Sequence, residues 1–450
     1  MFKSRQRFFI AVSTVFIIVA ASLALIRYFS RQFSSSALSA APVSASATVG
    51  APQPVILAPQ TAAPTLTVFV FPTEAITPSP TATPSPTAVP PTETASATPT
   101  ITFTPLPTAT STPASVSYTV IISDVYARGE PNLKSTQLQL VPRGQAYTVQ
   151  VQSIDGIWLQ LDLSGAKTAS WVPAAFGLLL GSLDIVPLSG PTLTPTATTT
   201  VPTAALTETL PTYPYLSAIG AHARDIYRYG LMLGNNPHAF IKIGDCQAIT
   251  PYFLAAFDNP KSYHLGDQYS YLQETIKQFA GSFSRESVAA NTGFGTATVL
   301  DPQWADPNLC KTGESPLICE YRTMRPSLAF ISLGTNDAWQ TDERYETDLR
   351  HIIEYLIRQG VLPILSTKAD NVEGDERFNK LVARLTAEYD LPLWDFAQVT
   401  RSLPSNGLKD AYHLTWGPAT FDDPKNMQFG WPWRNLTALQ VLDAVWRAAR

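Results

Sequence analysis

Apolar and polar positions change their rhythm several times along the chain. Residues 8–26 form an unbroken run of 19 without a charge, rich in Ile, Val, Phe, Ala and Leu. At helical rise this run spans roughly 30 Å, the thickness of a bilayer core, and predicts a transmembrane helix within an anchor over 1–33. Residues 34–116 show no apolar period. Thr-Pro and Ser-Pro units repeat there, as at 77–86, and predict a disordered, extended stalk. Over 117–188, short runs at 118–122, 146–151 and 157–163 are rich in β-branched and aromatic residues, with Gly, Pro, Asn or Asp turns between them. They predict a small all-β barrel. A second Thr/Pro-rich linker covers 189–212. Over 213–450, buried-type strands at 239–244, 329–334, 361–366 and 391–396 alternate with three- and four-residue apolar spacing at 341–359, 375–389 and 434–449. That alternation predicts an α/β domain with a parallel sheet, helices on both faces, and ligands at the carboxyl ends of the strands.

Composition sharpens these boundaries. Of the 38 prolines, 16 lie between Ser34 and Ser117, where the only charged residues are Glu74 and Glu93. Thr, Pro, Ala and Ser cannot bury enough surface there to offset the entropy of ordering. What remains is one small and one medium domain, of about 70 and about 235 residues. The net charge is −4, from 31 basic and 35 acidic residues, which excludes the basic excess of a nucleic-acid-binding chain. Lys3, Arg5 and Arg7 precede the apolar run and Arg27 and Arg31 follow it, favouring an N-terminus inside. The expectation is a single-pass cell-membrane protein with extracytoplasmic domains. A cleaved signal peptide is the alternative, and it too exports the rest.

Export permits disulfides. The chain has three cysteines, too few for a disulfide-dense mini-protein or a four-Cys zinc site. Cys310 and Cys319 bracket the turn-rich segment 311–316 and are the candidate pair, with Cys246 left over. Pairing of Cys246 with Cys310 or Cys319, which would put the site under redox control, is the alternative.

Four segments carry candidate chemistry: Gly244-Asp245-Cys246 at a strand end, Asn291-Thr-Gly293-Phe-Gly295-Thr in the middle, Gly334-Thr335-Asn336-Asp337 at a later strand end, and Asp410-Ala-Tyr-His413 near the C-terminus. Parallel-sheet geometry would bring all four to one rim. A nucleophile, a base with an orienting carboxylate, and amide donors are the parts of an acyl-transfer site. In their order and spacing, these blocks make 213–450 resemble an SGNH (GDSL-type) hydrolase, whose fold is flavodoxin-like. The resemblance implies His413 as base, Asp410 as its orienting acid, Asn336 as oxyanion donor, and the amide of Gly293 or Gly295 beside that of Cys246. Gly244, Asp245, Gly334 and Asp337 support the motifs. Cys246 stands where the family has Ser. A thiol ionises more readily than an alcohol, and a neighbouring His413 with helix-start amides is expected to lower its pKa further.

The expected reaction is hydrolysis or transfer of an acyl group from an ester, the substrate being an acylated cell-wall or surface glycan. The alternative is a catalytically inactive module that binds such carbohydrate. No cofactor and no metal are expected. The remaining histidines lack metal-ligand spacing, and His351 with Glu354 reads as a solvated pair on one helix face. Trp339, Trp416, Trp431 and Trp433 flank the motifs as candidates for core or for sugar stacking. In 117–188, the units Ala127-Arg128-Gly-Glu-Pro131, Pro142-Arg-Gly144, Gly156-Ile-Trp158-Leu159 and Ser170-Trp171-Val172 resemble a bacterial SH3-like (SH3b) domain. That resemblance implies cell-wall peptide or glycan as a partner.

Overall fold

A computed structural model of the protein describes residues 115–166, 168–189 and 212–450. The predicted membrane span at 8–26, the stalk up to 114 and the linker at 190–211 lie outside them. Among the described residues no helix is long and apolar enough to cross a membrane.

The first described region pairs seven short strands: β1 (Ser117–Val120), β2 (Val125–Arg128), β3 (Gln137–Val141), β4 (Ala146–Gln152), β5 (Trp158–Leu161), β6 (Trp171–Pro173) and β7 (Gly177–Leu180). Their order is β3-β2-β6-β5-β4-β1-β7, every neighbour antiparallel. The expected barrel is thus a seven-stranded antiparallel sheet with β3 and β7 as its edges. Its core is made by the aromatic and β-branched positions of the predicted strands. Tyr118 and Trp158 are fully buried, and the Tyr118 hydroxyl donates to Pro173 O at 2.7 Å, so its one polar atom is satisfied. Arg128 closes the following turn by donating to Leu133 O and Ser135 O, both at 2.8 Å.

The second region is built on a four-stranded parallel sheet: β8 (Asn236–Gly244), β9 (Pro326–Ser332), β10 (Leu362–Ser366) and β11 (Leu393–Trp394), in the order β11-β10-β9-β8. Every residue of β9 and β10 is buried, as a sheet covered on both faces requires. The helices packed around it include α1 (Ala221–Met232), α2 (Thr296–Leu300), α3 (Pro316–Met324), α4 (Asp342–Arg358), α5 (Arg377–Glu388) and α6 (Gly430–Ala449). Helix α4 begins where the sequence carries its start signal. Thr341 accepts from Arg344 N, and Asp342 and Glu343 occupy the positive first turn. The run at 391–396 is a strand only at Leu393–Trp394, because Asp395 caps a short helix, Phe396–Thr400, by accepting from Gln398 N. Helix α1 escapes the apolar-period reading, since His222, Ala223 and Gly230 supply much of its buried face.

The two regions meet through buried polar contacts. His222 sits between two carbonyls, Nε2 at 3.0 Å from Ala175 O and Nδ1 at 2.9 Å from Tyr389 O. Glu354 corrects the expectation of a solvated pair with His351. It is buried, accepting from Ser123 N at 2.9 Å, Arg143 Nη1 at 3.1 Å and the Tyr389 hydroxyl at 2.8 Å, while His351 faces solvent. Helical spacing placed both residues on α4 but could not show that the antiparallel sheet covers one of them.

Candidate active site

Two predicted blocks, 244–246 and 334–337, follow the carboxyl ends of β8 and β9; 291–296 is tied to the first by Asn291 N donating to Gly244 O at 3.1 Å, and 410–413 lies in a loop. After β8 the chain turns sharply through Asp245, Cys246 and Gln247. The turn is possible because Gly244 has no side chain: a Cβ there would collide with Ser332 O and Ala248 Cβ. No helix starts at Cys246. The chain runs through turns until a short 3-10 segment, Ala255–Asp258, so helix-start amides do not act on the thiol.

Asp410 and His413 form the expected pair. Asp410 Oδ2 lies 2.8 Å from His413 Nδ1, and Asp410 Oδ1 accepts from the backbone N–H of His413 at 2.8 Å and of Tyr412 at 3.1 Å. Those amides, together with the imidazole, pull the Asp410 carboxyl down to about 2. An ionised Asp410 fixes the proton on Nδ1 and leaves Nε2 as the basic nitrogen. The loop is tied to the nucleophile turn by Gln247, which is buried. Its Nε2 donates to Tyr412 O at 2.8 Å and lies 3.3 Å from Asp370 Oδ2. The residue after Cys246 therefore holds the residue before His413. The sequence reading missed Gln247 because its role is tertiary, and nothing in its spacing marks it.

Charge beneath the turn works against the thiol. Burial pushes Cys246 up to about 12, Asp245 and Asp370 add to the rise, and Arg434 and its own backbone N–H oppose it. Asp245, fully buried, is itself raised to about 6 by burial, against the lowering effect of the Gln247 N–H bonded to its Oδ1 at 2.9 Å. Two buried cations stand here, Lys368, whose Nζ lies 2.7 Å from Asp370 Oδ1, and Arg434. Arg434 donates to Gln247 O at 2.7 Å and Ser332 Oγ at 2.6 Å, with its guanidinium over the rings of Phe253, Trp394 and Phe396. Among the described residues no hydrogen bond joins Cys246 to His413. The expectation of a thiol primed by His413 and helix amides is corrected, since a half-buried sulfur above two carboxylates stays protonated.

The oxyanion candidates are distinguished by what their N–H groups already hold. Asn336 Nδ2 donates to both Thr292 O and Phe294 O at 2.8 Å, so both amide hydrogens are committed to the central loop. Gly295 N donates to Thr298 Oγ1 at 2.7 Å. Its bare Cα admits Asp337: a Cβ would stand 2.6 Å from Asp337 Oδ1. That buried carboxylate accepts from Thr296 N at 2.8 Å and Gln340 Nε2 at 2.7 Å, and so anchors the loop at the start of α2. Gly293 is exposed, in open space, and its amide reaches only Asn291 Oδ1 at 3.3 Å. Gly334 turns the chain after β9 with φ 135°.

Cys310 and Cys319 are joined with Cα atoms 5.3 Å apart, which leaves Cys246 free and removes its pairing with either. Of the four tryptophans, Trp431 is buried and Trp433 partly so, whereas Trp416 is 65% and Trp339 91% exposed. Beside the site lies a cavity of about 530 Å³, its lining including Thr250, Glu286, Asn291, Thr292, Trp304 and Asp306. Among the described residues no group of three or more His, Cys, Asp or Glu is placed to hold a metal.

No family model and no curated protein matches the chain. Solved structures similar to it include esterases and a lipase. AlinE4, an SGNH-hydrolase family esterase, is 20% identical with a TM-score of 0.24, over 39% of this chain and 85% of its own. A GDSL-like lipase from Bacteroides thetaiotaomicron VPI-5482 is 14% identical with a TM-score of 0.29, over 50% and 99%. A variant of Axe2, an acetyl xylan esterase from Geobacillus stearothermophilus, is 17% identical with a TM-score of 0.27, over 40% and 88%.

Proposed function

We propose that 213–450 is an SGNH-type acyl-ester hydrolase or acyltransferase working through Cys246, His413 and Asp410. In this reading it is carried by a membrane-tethered, exported protein whose SH3-like region binds cell-wall peptide or glycan. The observation that supports it is the Asp410–His413 pair held against the nucleophile turn by Gln247. A side chain that ties these two loops together makes sense where the loops act together.

Because the resting thiol is protonated, its proton leaves as the attack occurs. Sγ bonds to the ester carbonyl carbon, His413 Nε2 takes the thiol proton, and the carbonyl π pair moves onto oxygen. The Cys246 amide and Gly293 N would face that oxyanion, with Asn336 joining once it exchanges one of its two carbonyl partners. Collapse expels the alkoxide, which takes the proton from His413. Water, or an acceptor hydroxyl, then attacks the thioester by the same route and restores the thiol.

A second reading has its own support. The raised thiol and the committed Asn336 amide are what a silent, carbohydrate-binding site would show. Hydrolysis of a short-chain chromogenic ester by the full chain separates the two. The hydrolase reading expects turnover that falls about a thousandfold in His413→Ala and is kept or raised in Cys246→Ser. No turnover in the native chain, with activity gained in Cys246→Ser, supports the silent site instead.

A further inference from the structure

We infer that the cavity beside the nucleophile turn is a leaving-group subsite that takes an uncharged sugar ring, with Trp304 as its stacking wall. The inference rests on the acyl-transfer reading of Cys246 and His413 for its role, but on the cavity alone for its ligand.

Position is the first ground. Asn291 N donates to Gly244 O at 3.1 Å, and Ala290 bridges to Gly244, so one wall runs alongside the strand that ends in the Cys246 turn. Thr250 follows Cys246 by four residues, and Thr292 O is held by Asn336. One chemical block, 291–296, thus supplies part of the wall through Asn291, Thr292 and Phe294, with Thr250 from the segment after Cys246 beside it. A group filling the cavity lies against the loop whose Thr292 O and Phe294 O hold Asn336.

Lining chemistry is the second. Trp304 is 53% exposed, and its ring meets Phe294 edge-on at 6.3 Å and 84°, which holds it upright without covering it. Around it stand the hydroxyls of Thr250 and Thr292 and the amide of Asn291. Glu286 and Asp306 are the charged groups of the lining, and no cation accompanies them. One open aromatic face with a polar surround suits a ring that is apolar on its C–H face and hydroxylated at its edge. A long acyl chain would strip water from the Glu286 and Asp306 carboxylates without replacing it. An anionic ring or phosphate would meet these two carboxylates, while the cations nearby are engaged, Lys242 buried with its ammonium given to Thr250 Oγ1 and Phe283 O, and Arg285 paired with Glu320.

Rigidity is the third. Helix α3 grips both walls. Its Glu320, fully buried, accepts from Val288 N at 3.0 Å and pairs with Arg285 on one side. On the other, Cys319 is bonded to Cys310 and Arg322 donates to Leu309 O at 3.1 Å. Underneath, the buried Lys242 Nζ donates to Thr250 Oγ1 at 2.9 Å and to Phe283 O at 3.1 Å. The width of the cavity is therefore set before any ligand arrives, so little ordering cost falls on binding.

The test is calorimetric titration of the full-length Cys246→Ala variant with a neutral cello-oligosaccharide and with an oligogalacturonate of equal length. Binding of the neutral sugar, weakened about tenfold by Trp304→Ala and at least as strong as that of the uronate, is the expected result. No binding of the neutral sugar, or binding indifferent to Trp304→Ala, overturns the inference, the latter placing the sugar elsewhere on the chain. Adding Glu286→Gln should improve uronate binding without changing neutral binding, and no improvement removes the charge argument. Because the variant lacks the thiol, these outcomes are independent of ester turnover, so failure of the hydrolase reading is read separately.

Discussion

At Cys246 burial acts most strongly on the sulfur, with the carboxylates Asp245 and Asp370 adding to the rise and the Arg434 guanidinium opposing it. With the thiol up near 12, iodoacetamide modification of Cys246 is expected to be slower than that of free cysteine near neutral pH. It should climb about tenfold per pH unit through pH 9, unaffected by His413→Ala. A rate that levels off near pH 7 to 8 would mean a primed thiolate and would rule out the protonated resting state. Asp245 makes a second pH-dependent contribution. Its folded-state value, about 6, lies above the 3.8 of a free carboxyl, so its stabilising contribution is full below about pH 4 and is lost as pH rises through 6. Relative to Asp245→Asn, the native chain should lose about 3 kcal/mol between pH 4 and pH 7.5, seen in thermal melts across that range. Parallel melting profiles for the two proteins would count against a raised Asp245.

Elements show where periodicity suffices and where it stops. Strands β8, β9 and β10 and helices α4, α5 and α6 were legible because long apolar runs and three-four spacing reflect burial that any parallel α/β sheet demands. The blocks of candidate chemistry were legible too, since strand ends are where such a sheet exposes backbone and polar side chains. Gly244 and Gly295 are intelligible only with their opposing groups in view, namely Ser332 O and Asp337 Oδ1. The choice between Gly293 and Gly295 turned on the same kind of fact, because a hydrogen bond to Thr298 Oγ1 occupies one amide and leaves the other nearly free. Gln247 and helix α3 act by reaching across the fold, and no local pattern encodes that.

At the scale of the molecule, the antiparallel sheet and the α/β region share buried polar partners and an aromatic contact, Phe176 edge-on to Tyr229 at 5.1 Å. Glu354 is the centre of this junction. Its replacement leaves Ser123 N, Arg143 Nη1 and the Tyr389 hydroxyl without this acceptor, so Glu354→Ala should cost about 3 kcal/mol. Calorimetry should show one unfolding transition in the native chain and two in the variant. Two transitions in the native chain would show that the regions are independent. The sequence by itself determined the alternation that makes a parallel sheet and offered Cys310–Cys319 as one candidate pair, because period and local spacing carry these. Tertiary structure alone decided that Cys246 stays protonated, that Asn336 and Gly295 are already engaged, and that Glu354 is buried. Desolvation and hydrogen-bond occupancy depend on what other parts of the chain bring close, and neighbours in sequence do not specify that.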